Sequence, residues 1–426
     1  MGRLHDELSE LEVEISETKT KDDRIEIEQE VTSLEDKIKT FERTREELLK
    51  TCRIGSAFSQ AKTMLYDPDF IVNKLYRHLL PIADNKVVDL RDGSVSKRTK
   101  VHRFTFASKV RYDGNLKQST THSDAFFTAV MSNDKDKLEY FRTQLGYCLT
   151  GEMSSRCFFL WWGCLGRNAK GTVAGLMKCI LGKFYAQISK GAAIDAGKKS
   201  DVGSATPHLV PLIYARLAML SETKADDRIS EDLVKTWTGN DPIKVRKLFS
   251  EEIEIETHAK LVIQTNNKPS FSGHQSMLDR THLIQFGARF TETGEGAGET
   301  KADSELVRKL SDEYLTEVFV WVLRGSVNWY SQRQLVMPRV IAQETETYFE
   351  ENDVVARWIS DNTTKGGKTA RSELYKNYKT WCEQNEENVD SAKEFYSTLV
   401  MKRYSISKGG KRYVSGIQTS GSSNAD

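Results

Sequence analysis

The chain has 426 residues, which is too long for one compact core and predicts two or three domains. Its formal net charge is only +1, so the overall composition carries no signature of a nucleic-acid-binding protein. The six cysteines form no CxxC pair and have no histidine at zinc-ligand spacing. No apolar stretch is long enough for a membrane span, and no signal peptide opens the chain. These features favour reduced thiols in an intracellular protein.

The first segment, residues 4–50, predicts helix because its apolar residues recur at spacings of three, four and seven. The pattern slips between Thr18 and Asp23, which predicts a two-part coiled coil or a helical hairpin. Acidic residues outnumber basic residues over the first fifty positions. A charged helix that packs on its own domain and an oligomerisation element are equally good interpretations.

Residues 80–151 predict a small mixed region of strands and a helix. A strand beginning near Leu80 should turn at Asp92 and Gly93 into a second strand. A basic and aromatic stretch follows over 97–112, and the apolar spacing over 136–149 predicts a helix.

The next segment has the layout of a phosphate-binding loop. Five apolar residues, Phe158–Trp162, lead into a glycine-bearing turn, then Lys170, and then a predicted helix over 172–181. In such a loop the backbone N–H groups and the helix amino terminus surround phosphate oxygens. Lys170 is placed to reach the terminal phosphates.

The loop departs from the strict pattern GxxxxGK[ST]. That pattern has glycine where Cys164 and Ala169 stand, and serine or threonine where Gly171 stands. This segment alone therefore leaves nucleotide binding and an ordinary strand-to-helix turn equally open.

Two further buried strands end in polar residues. Residues 215–220 lead into Ser221 and Glu222, where a P-loop enzyme places the carboxylate that polarises the attacking water. Residues 261–265 lead into Asn266, whose amide can align water or contact the terminal phosphate, or can form a turn before Pro269.

Between these strands the sequence predicts a β-hairpin. Residues 243–249 and 253–257 alternate apolar and charged side chains. Lys244, Arg246 and Lys247 are available to an outer or channel face.

The tail predicts two helices followed by a two-stranded wing. One helix carries an apolar stripe over 374–381, and Ser391–Glu394 matches a capping box that opens the other. Gly409 and Gly410 form the turn of the hairpin. This order is typical of a winged helix that contacts DNA, and a packing module is the alternative. The candidate DNA contacts are Lys402, Arg403, Lys408, Lys411 and Arg412.

Taken in this order, the segments resemble the superfamily 3 helicases, in particular the poxvirus-type primase-helicases of large DNA viruses, with relatives in phages and plasmids. The resemblance covers about 80–417. NKVVDLRDG and LGYCLTG resemble the region before the helicase, WWGCLGRNAKG the Walker A motif and LAMLSET the Walker B motif. KTWTGNDPIKVRKLF, LVIQTNNKP and DRTHLIQF resemble the superfamily 3 motif, the sensor and the arginine-finger strand.

The resemblance implies an α/β fold, the AAA+-type P-loop ATPase core of superfamily 3, with an N-terminal helical and collar region and a C-terminal winged helix. The implied parts are a coiled-coil-like segment over 1–55, a collar domain over 56–150, the ATPase and helicase domain over 151–335, the winged helix over 345–418 and a disordered tail over 419–426.

By position, Lys170 would bind the β and γ phosphates of ATP, Glu222 would be the catalytic carboxylate and Asn266 the sensor. Arg280 would reach the nucleotide of a neighbouring subunit, which requires a ring and implies a homo-hexamer. Thr172 and Glu222 would hold Mg²⁺, although Ser221 replaces an acid of many relatives. The cofactor-binding residues would be Gly163, Gly166, Arg167, Asn168, Ala169, Lys170, Gly171 and Thr172.

The first functional hypothesis is an ATP-dependent DNA helicase of a viral or mobile-element replication machinery, acting on single-stranded or forked DNA in the host cytoplasm or nucleus. The primase half is absent from the resemblance, so a primase or polymerase would be a separate chain or a missing N-terminal region. A second hypothesis is a nucleotide-gated DNA-binding or loading platform with little ATP turnover. A signalling P-loop ATPase with a winged helix is disfavoured by the hairpin.

Overall fold

The computed structural model describes residues 2–67, 70–189, 206–221, 223, 227–246, 251–267, 269, 275–296, 298–407 and 412–419. The chain divides into two compact units, Met1–Ile71 and Val72–Asp426. Within the described ranges, none of the helices is both long enough and apolar enough to cross a lipid bilayer.

The first unit is helical. Its helices are α1 (Gly2–Glu17), α2 (Lys21–Leu49) and α3 (Thr51–Met64). The break between α1 and α2 falls where the apolar periodicity slips, as predicted. Helix α1 packs along α2, whose Leu34 and Ile38 are buried. Helix α3 was not predicted from the sequence.

The second unit begins with β1 (Leu79–Ile82), β2 (Lys86–Asp89), β3 (Val95–Lys97), α4 (Thr121–Val130) and α5 (Lys135–Leu149). Its middle part contains β4 (Phe158–Trp162), α6 (Lys170–Leu181), β5 (Tyr185–Ile188), β6 (Leu217–Ser221), α7 (Glu231–Gly239), β7 (Ile243–Arg246), β8 (Glu252–Ile255), β9 (Lys260–Thr265), α8 (Gln275–Leu278), β10 (Thr281–Gln285), β11 (Arg289–Thr291), β12 (Glu299–Lys301), α9 (Ser304–Ser311) and α10 (Leu315–Gln332). Its last part contains α11 (Arg339–Asn352), α12 (Val354–Asn362), β13 (Thr363–Ala370), α13 (Arg371–Gln384), α14 (Ala392–Met401), β14 (Ser405–Ile406) and β15 (Tyr413–Thr419).

The small sheet β1–β2–β3 corrects the prediction of a single strand before Asp92. The chain already turns at Asp84 and Asn85, and both residues have a φ of 56°. Two successive left-handed residues form the tight turn that matches the twist of a hairpin, and Asp and Asn tolerate that conformation. The predicted turn at Asp92 and Gly93 then joins β2 to β3.

The centre of the unit is a five-stranded parallel sheet with the order β10–β4–β9–β6–β5. Successive side chains of β4 enter two different cores: Phe159 and Trp161 pack with α5, α6 and α10, whereas Phe158 and Leu160 pack with α7. Both faces of the sheet are therefore covered, as parallel sheets require. The result is a three-layer α/β fold of the kind found in P-loop ATPase cores.

Helices α5 and α10 approach each other backbone to backbone. A Cβ on Gly146 would lie 2.0 Å from the backbone nitrogen of Ser326, and a Cβ on Gly325 would lie 1.9 Å from the carbonyl oxygen of Arg142. No side chain fits at either contact, so both glycines are required for this packing.

Two buried cations join the start of the sheet to the segments before it. Arg216, just before β6, donates from Nη1 to Leu149 O at 2.8 Å and from Nη2 to Leu79 O at 2.7 Å. The ammonium of Lys260, at the start of β9, donates to the carbonyl oxygen of Thr150. Leu149 ends α5, and the carbonyls of a last helical turn have no partner within their helix, so they can accept hydrogen bonds from cations. Burial lowers the pKa of Arg216 to about 10 and that of Lys260 to about 7.

The last part of the unit has its own core of α12, α13, α14 and β15. The predicted capping box is present, since Ser391 Oγ accepts from Glu394 N while the Glu394 carboxylate accepts from Ser391 N. The predicted hairpin is the pair β14 and β15. A third strand, β13, pairs with β15 and was not predicted.

Candidate functional site

The predicted phosphate loop connects the second strand of the central sheet to α6. Its strand β4 lies between β10 and β9, and β6 follows β9. Because all these strands are parallel, the loop after β4 and the polar residues after β6 and β9 meet at one edge of the sheet. The chain crosses from β4 to the far strand β5, so this edge contains a topological switch point, where ligands of open α/β sheets bind.

Lys170 is the first residue of α6, and only 3% of its surface is exposed. Its Nζ donates to Gly163 O at 3.1 Å and to Asn266 Oδ1 at 2.8 Å. Burial lowers the pKa of the ammonium to about 8. The structure thus brings together two predicted site residues that are 96 positions apart in the chain.

The loop is held by its own polar groups. Asn168 is buried, and its Nδ2 donates to Gly163 O at 3.3 Å and to Leu165 O at 2.5 Å. A Cβ on Gly163 would lie 2.4 Å from Asn168 Nδ2 and 2.7 Å from Phe286 O. Glycine is therefore required at 163 by this close approach.

Two of the three positions that depart from the phosphate-loop pattern, Ala169 and Gly171, differ in consequence. Ala169, where glycine is usual, has a φ of 64°, a left-handed conformation in which a Cβ is strained. Among the described residues outside its own helix, a Cβ on Gly171 would meet Gln264 Nε2 alone, at 3.9 Å. A serine or threonine at 171 would therefore fit, and its absence has no steric cause.

Replacing Ala169 with glycine is expected to stabilise the chain by roughly 0.5–1 kcal/mol, because glycine adopts this conformation without strain. The matched control is Ala174→Gly in the buried interior of the same helix, which should destabilise the chain by about 1 kcal/mol or more. Denaturant unfolding of both variants measures the two signs. A loss of stability in Ala169→Gly would contradict the strain at this position.

A mainly apolar cavity of about 470 Å³ adjoins the loop. Arg167, Ala169 and Thr172 line its loop side. Phe126 from α4 and Phe290 from β11 contribute aromatic surface. A cavity of this size with apolar walls suits a flat ring system attached to a phosphate group. Sequence reasoning missed the residues from α4, β11 and α9, which carry no local motif.

Hydroxyl and amide groups bind the ends of β6 and β9 together. Thr223 Oγ1 donates to Thr265 Oγ1 at 2.5 Å, and Asn267 Nδ2 donates to Thr223 O at 3.0 Å. Asn267 therefore has a structural task, whereas Asn266 faces Lys170. Glu222, the predicted catalytic carboxylate, lies outside the described residues.

The described residues near the loop include few side chains that could act as ligands of Mg²⁺. Thr172 lines the apolar cavity, and Ser221 Oγ accepts from Gln187 Nε2 at 3.1 Å. Among the described positions, no group of three or more His, Cys, Asp or Glu side chains could hold a metal ion. These residues do not form a complete Mg²⁺ site by themselves.

Arg280 lies at the opposite end of the sheet from Lys170. Its carbonyl accepts from Phe158 N at 2.9 Å, at the amino end of β4, about 16 Å of strand away from the loop. Its guanidinium donates to Thr238 Oγ1 at 3.1 Å and to Ser276 O at 2.9 Å. Arg280 and Lys170 of the same chain are therefore not brought together.

The predicted hairpin is formed by β7 and β8. Ile243 and Val245 are buried, while Lys244 is exposed. Each basic residue faces a carboxylate, because the register pairs Lys244 with Glu254 and Arg246 with Glu252. Lys244 Nζ also lies 3.3 Å from Glu252 Oε1. The described part of this face is balanced in charge, and Lys247 lies outside the described residues.

The basic residues near the predicted wing divide into three groups. Lys402 forms an ion pair with Asp353 and is turned back toward α12. Arg403 and Arg412 are exposed. Lys408 and Lys411 lie outside the described residues.

Comparison with known proteins gives a consistent set of relatives. No protein-family model matches the chain. The chain is 27% identical over 349 residues to "Putative helicase L207/L206" of Acanthamoeba polyphaga mimivirus, covering 78% of this chain and 36% of that protein. It is 25% identical over 285 residues to "Putative helicase 022R" of Frog virus 3 (isolate Goorha), covering 64% and 29%. It is 23% identical over 275 residues to "Primase D5" of Fowlpox virus (strain NVSL), covering 60% and 34%.

The chain is a distant homologue of these viral proteins. It spans about a third of the length of the curated relatives it matches. Among solved structures, the apo form of the NrS-1 C-terminal region is 14% identical, with a TM-score of 0.42, and the match covers 78% of this chain and 82% of that chain. The homology agrees with the resemblance found in the sequence motifs.

Proposed function

We propose that this chain is the ATPase and helicase part of a viral or mobile-element replication protein, an ATP-dependent DNA helicase of the superfamily 3 AAA+ type. The observation that carries the proposal is the Lys170 ammonium, placed at the junction of a central parallel strand and its helix and hydrogen-bonded to Asn266 at the end of the next strand. The collar would be residues 56–150, the ATPase domain 151–335 and the winged helix 345–418.

In this proposal Lys170 binds the β and γ phosphates of ATP, and the backbone of residues 163–172 surrounds them. ATP would displace the ammonium from its contacts with Gly163 and Asn266, leaving the Asn266 amide directed at the terminal phosphate. The adjoining cavity takes the base. Glu222 would polarise the attacking water, and Mg²⁺ would accompany the nucleotide with Thr172 and Glu222 as its proposed ligands.

The position of Arg280 supports a ring. Arg280 lies at the amino end of β4, away from Lys170 of its own chain, so in this proposal its guanidinium would reach the nucleotide of a neighbouring subunit. A charge supplied in this way stabilises the transition state only when subunits surround one another, so the proposed working state is a homo-hexamer.

DNA would pass through the ring and contact two elements. The hairpin β7–β8 offers Lys244, Arg246 and Lys247, although glutamates oppose the first two. The order of α12, β13, α13, α14, β14 and β15 is that of a winged helix, and its exposed Arg403 and Arg412 suit phosphate contacts. A primase or polymerase is the proposed further partner, and the replication site in host cytoplasm or nucleus the proposed location.

A second function is favoured by the loop itself. Ala169 is strained, and Gly171 provides no hydroxyl where the phosphate-loop pattern has one. A platform that binds nucleotide and DNA but turns over little ATP would have these features.

Measuring ATP hydrolysis by the chain with and without single-stranded DNA separates the two functions. The helicase hypothesis predicts hydrolysis that DNA increases, because translocation couples the two sites. The platform hypothesis predicts nucleotide binding with hydrolysis near background in both conditions. Absence of nucleotide binding would contradict both.

A further inference from the structure

The sheet β1–β2–β3 places two lysines directly opposite each other. The register pairs Lys86 of β2 with Lys97 of β3. Directly opposed side chains on neighbouring strands are close, and like charges in that position destabilise a sheet. Among the residues that the structure describes, neither ammonium forms an ion pair with a carboxylate. The pair therefore carries a repulsion that a bound anion would relieve.

Three more cations lie near these lysines, beside the turn between β1 and β2 at Asp84 and Asn85. Arg98 Nε donates to Asn85 Oδ1 at 3.2 Å. Ala83 N donates to Val110 O at 3.0 Å, which brings Lys109 and Arg111 beside the turn. Val110 is buried, whereas Lys109 and Arg111 are both exposed. We define the lysine patch as the set Lys86, Lys97, Arg98, Lys109 and Arg111.

Little negative charge opposes the lysine patch. The sequence from Val95 to Tyr112 contains no aspartate or glutamate. One carboxylate, Asp84, lies 3.8 Å from Arg111, whose side chain is 80% exposed. On the hairpin β7–β8, by contrast, both described cations face glutamates. The lysine patch is thus the more strongly positive of the two surfaces.

We propose that the lysine patch is a contact for the phosphate backbone of a DNA strand, outside the ATP site, the hairpin and the winged helix. The proposal rests on the proposed DNA substrate. Phosphates placed between Lys86 and Lys97 would turn a repulsive pair into two attractive contacts. Lysine side chains are flexible and bind phosphate as point charges, so they contact a DNA strand without preference for particular bases. Such contacts are compatible with a strand that moves along the protein.

The test uses the full chain and a labelled single-stranded oligonucleotide, with affinity measured between about 50 and 200 mM salt. One variant is Lys86→Gln with Lys97→Gln. The matched control is Lys37→Gln with Lys39→Gln on α2, which removes the same charge from two exposed positions of the first unit. We define the salt slope as the magnitude of the slope of log affinity against log salt concentration. The patch variant should lower this salt slope by about 1.4, since each lost phosphate contact with a single strand contributes about 0.7. The control should keep the wild-type slope.

A second variant, Lys97→Glu, separates binding from folding. It places a carboxylate opposite Lys86, so the melting temperature should rise while DNA affinity falls at least fivefold. A fall in melting temperature would show that the lysines serve the fold and would overturn the proposal, as would a wild-type slope in the glutamine variant. If the wild-type chain binds no DNA at all, both the proposed DNA substrate and the lysine patch are wrong. If the wild-type chain binds DNA and the patch variants bind it with the same affinity and salt slope, the lysine patch alone is wrong.

Discussion

Lys170→Ala should reduce ATP hydrolysis by at least about a hundredfold, because removing one preorganised charge from a transferring phosphoryl group costs that much or more. The chain would keep its fold, since among the described residues the Lys170 ammonium donates to the Gly163 carbonyl and the Asn266 amide oxygen and forms no ion pair with a carboxylate. Steady-state hydrolysis in the presence of DNA measures the effect.

Lys178→Ala is the matched control, since Lys178 is exposed on the same helix. It should hydrolyse ATP at the wild-type rate. Wild-type hydrolysis in Lys170→Ala, with both variants folded, would remove the phosphate-loop assignment.

The same lysine gives a pH dependence of nucleotide binding. Burial holds the pKa of Lys170 at about 8, and phosphate oxygens beside the ammonium would raise that pKa. Binding is therefore strongest below pH 8 and weakens as the pH rises through about 8 toward the higher pKa of the complex. Calorimetric titrations should show this decline in the wild type, and Lys170→Ala should lack it.

Alanine at Gly146 or at Gly325 should destabilise the chain by about 3 kcal/mol, because a Cβ at either position would overlap the backbone of the facing helix. Helices α5 and α10 would have to separate within the core that also covers β4. Denaturant unfolding of the two variants measures the loss.

Gly175→Ala on α6 provides the comparison of opposite sign. Apart from its chain neighbours and the backbone of its own helix, no described atom lies within 4 Å of a Cβ placed there, and the position is exposed. Alanine in an exposed helix interior should add about 0.5–1 kcal/mol. If Gly146→Ala unfolded like the wild type, the close helix contact would be wrong.

Local patterns in the sequence predicted much of this fold. The strand β4 and the helices α5 and α6 follow from apolar runs and periodicity, and the capping box at Ser391 follows from a spacing of three. Lys170 and Asn266 were predicted separately as residues near the phosphates, and they lie together because strand ends of a parallel sheet meet. These features depend on short segments or on general topology.

The remaining features depend on distant partners. Strand β13 reads TTKGGKTA, which has no apolar alternation, and it forms because β15 supplies its hydrogen bonds. The glycines of α5 and α10 resemble ordinary weak helix positions until the other helix is in place. The cavity beside the loop combines α4 and α9 with residues of α6, and no single segment encodes it.

Arg216 and Lys260 limit how the protein can be shortened. Arg216 donates to carbonyls of Tyr76, Leu79 and Leu149, and Lys260 donates to that of Thr150 as well as to that of His258. All of these acceptors except His258 precede residue 151. A fragment that starts at residue 151 would keep both cations and lose the acceptors that precede it. It would also lose the apolar side chains of β1 and α5 that share a core with α10, so that core would be exposed to water. The smallest piece that folds should therefore include β1 and α5, and a truncation made at the edge of the ATPase motifs should yield insoluble protein.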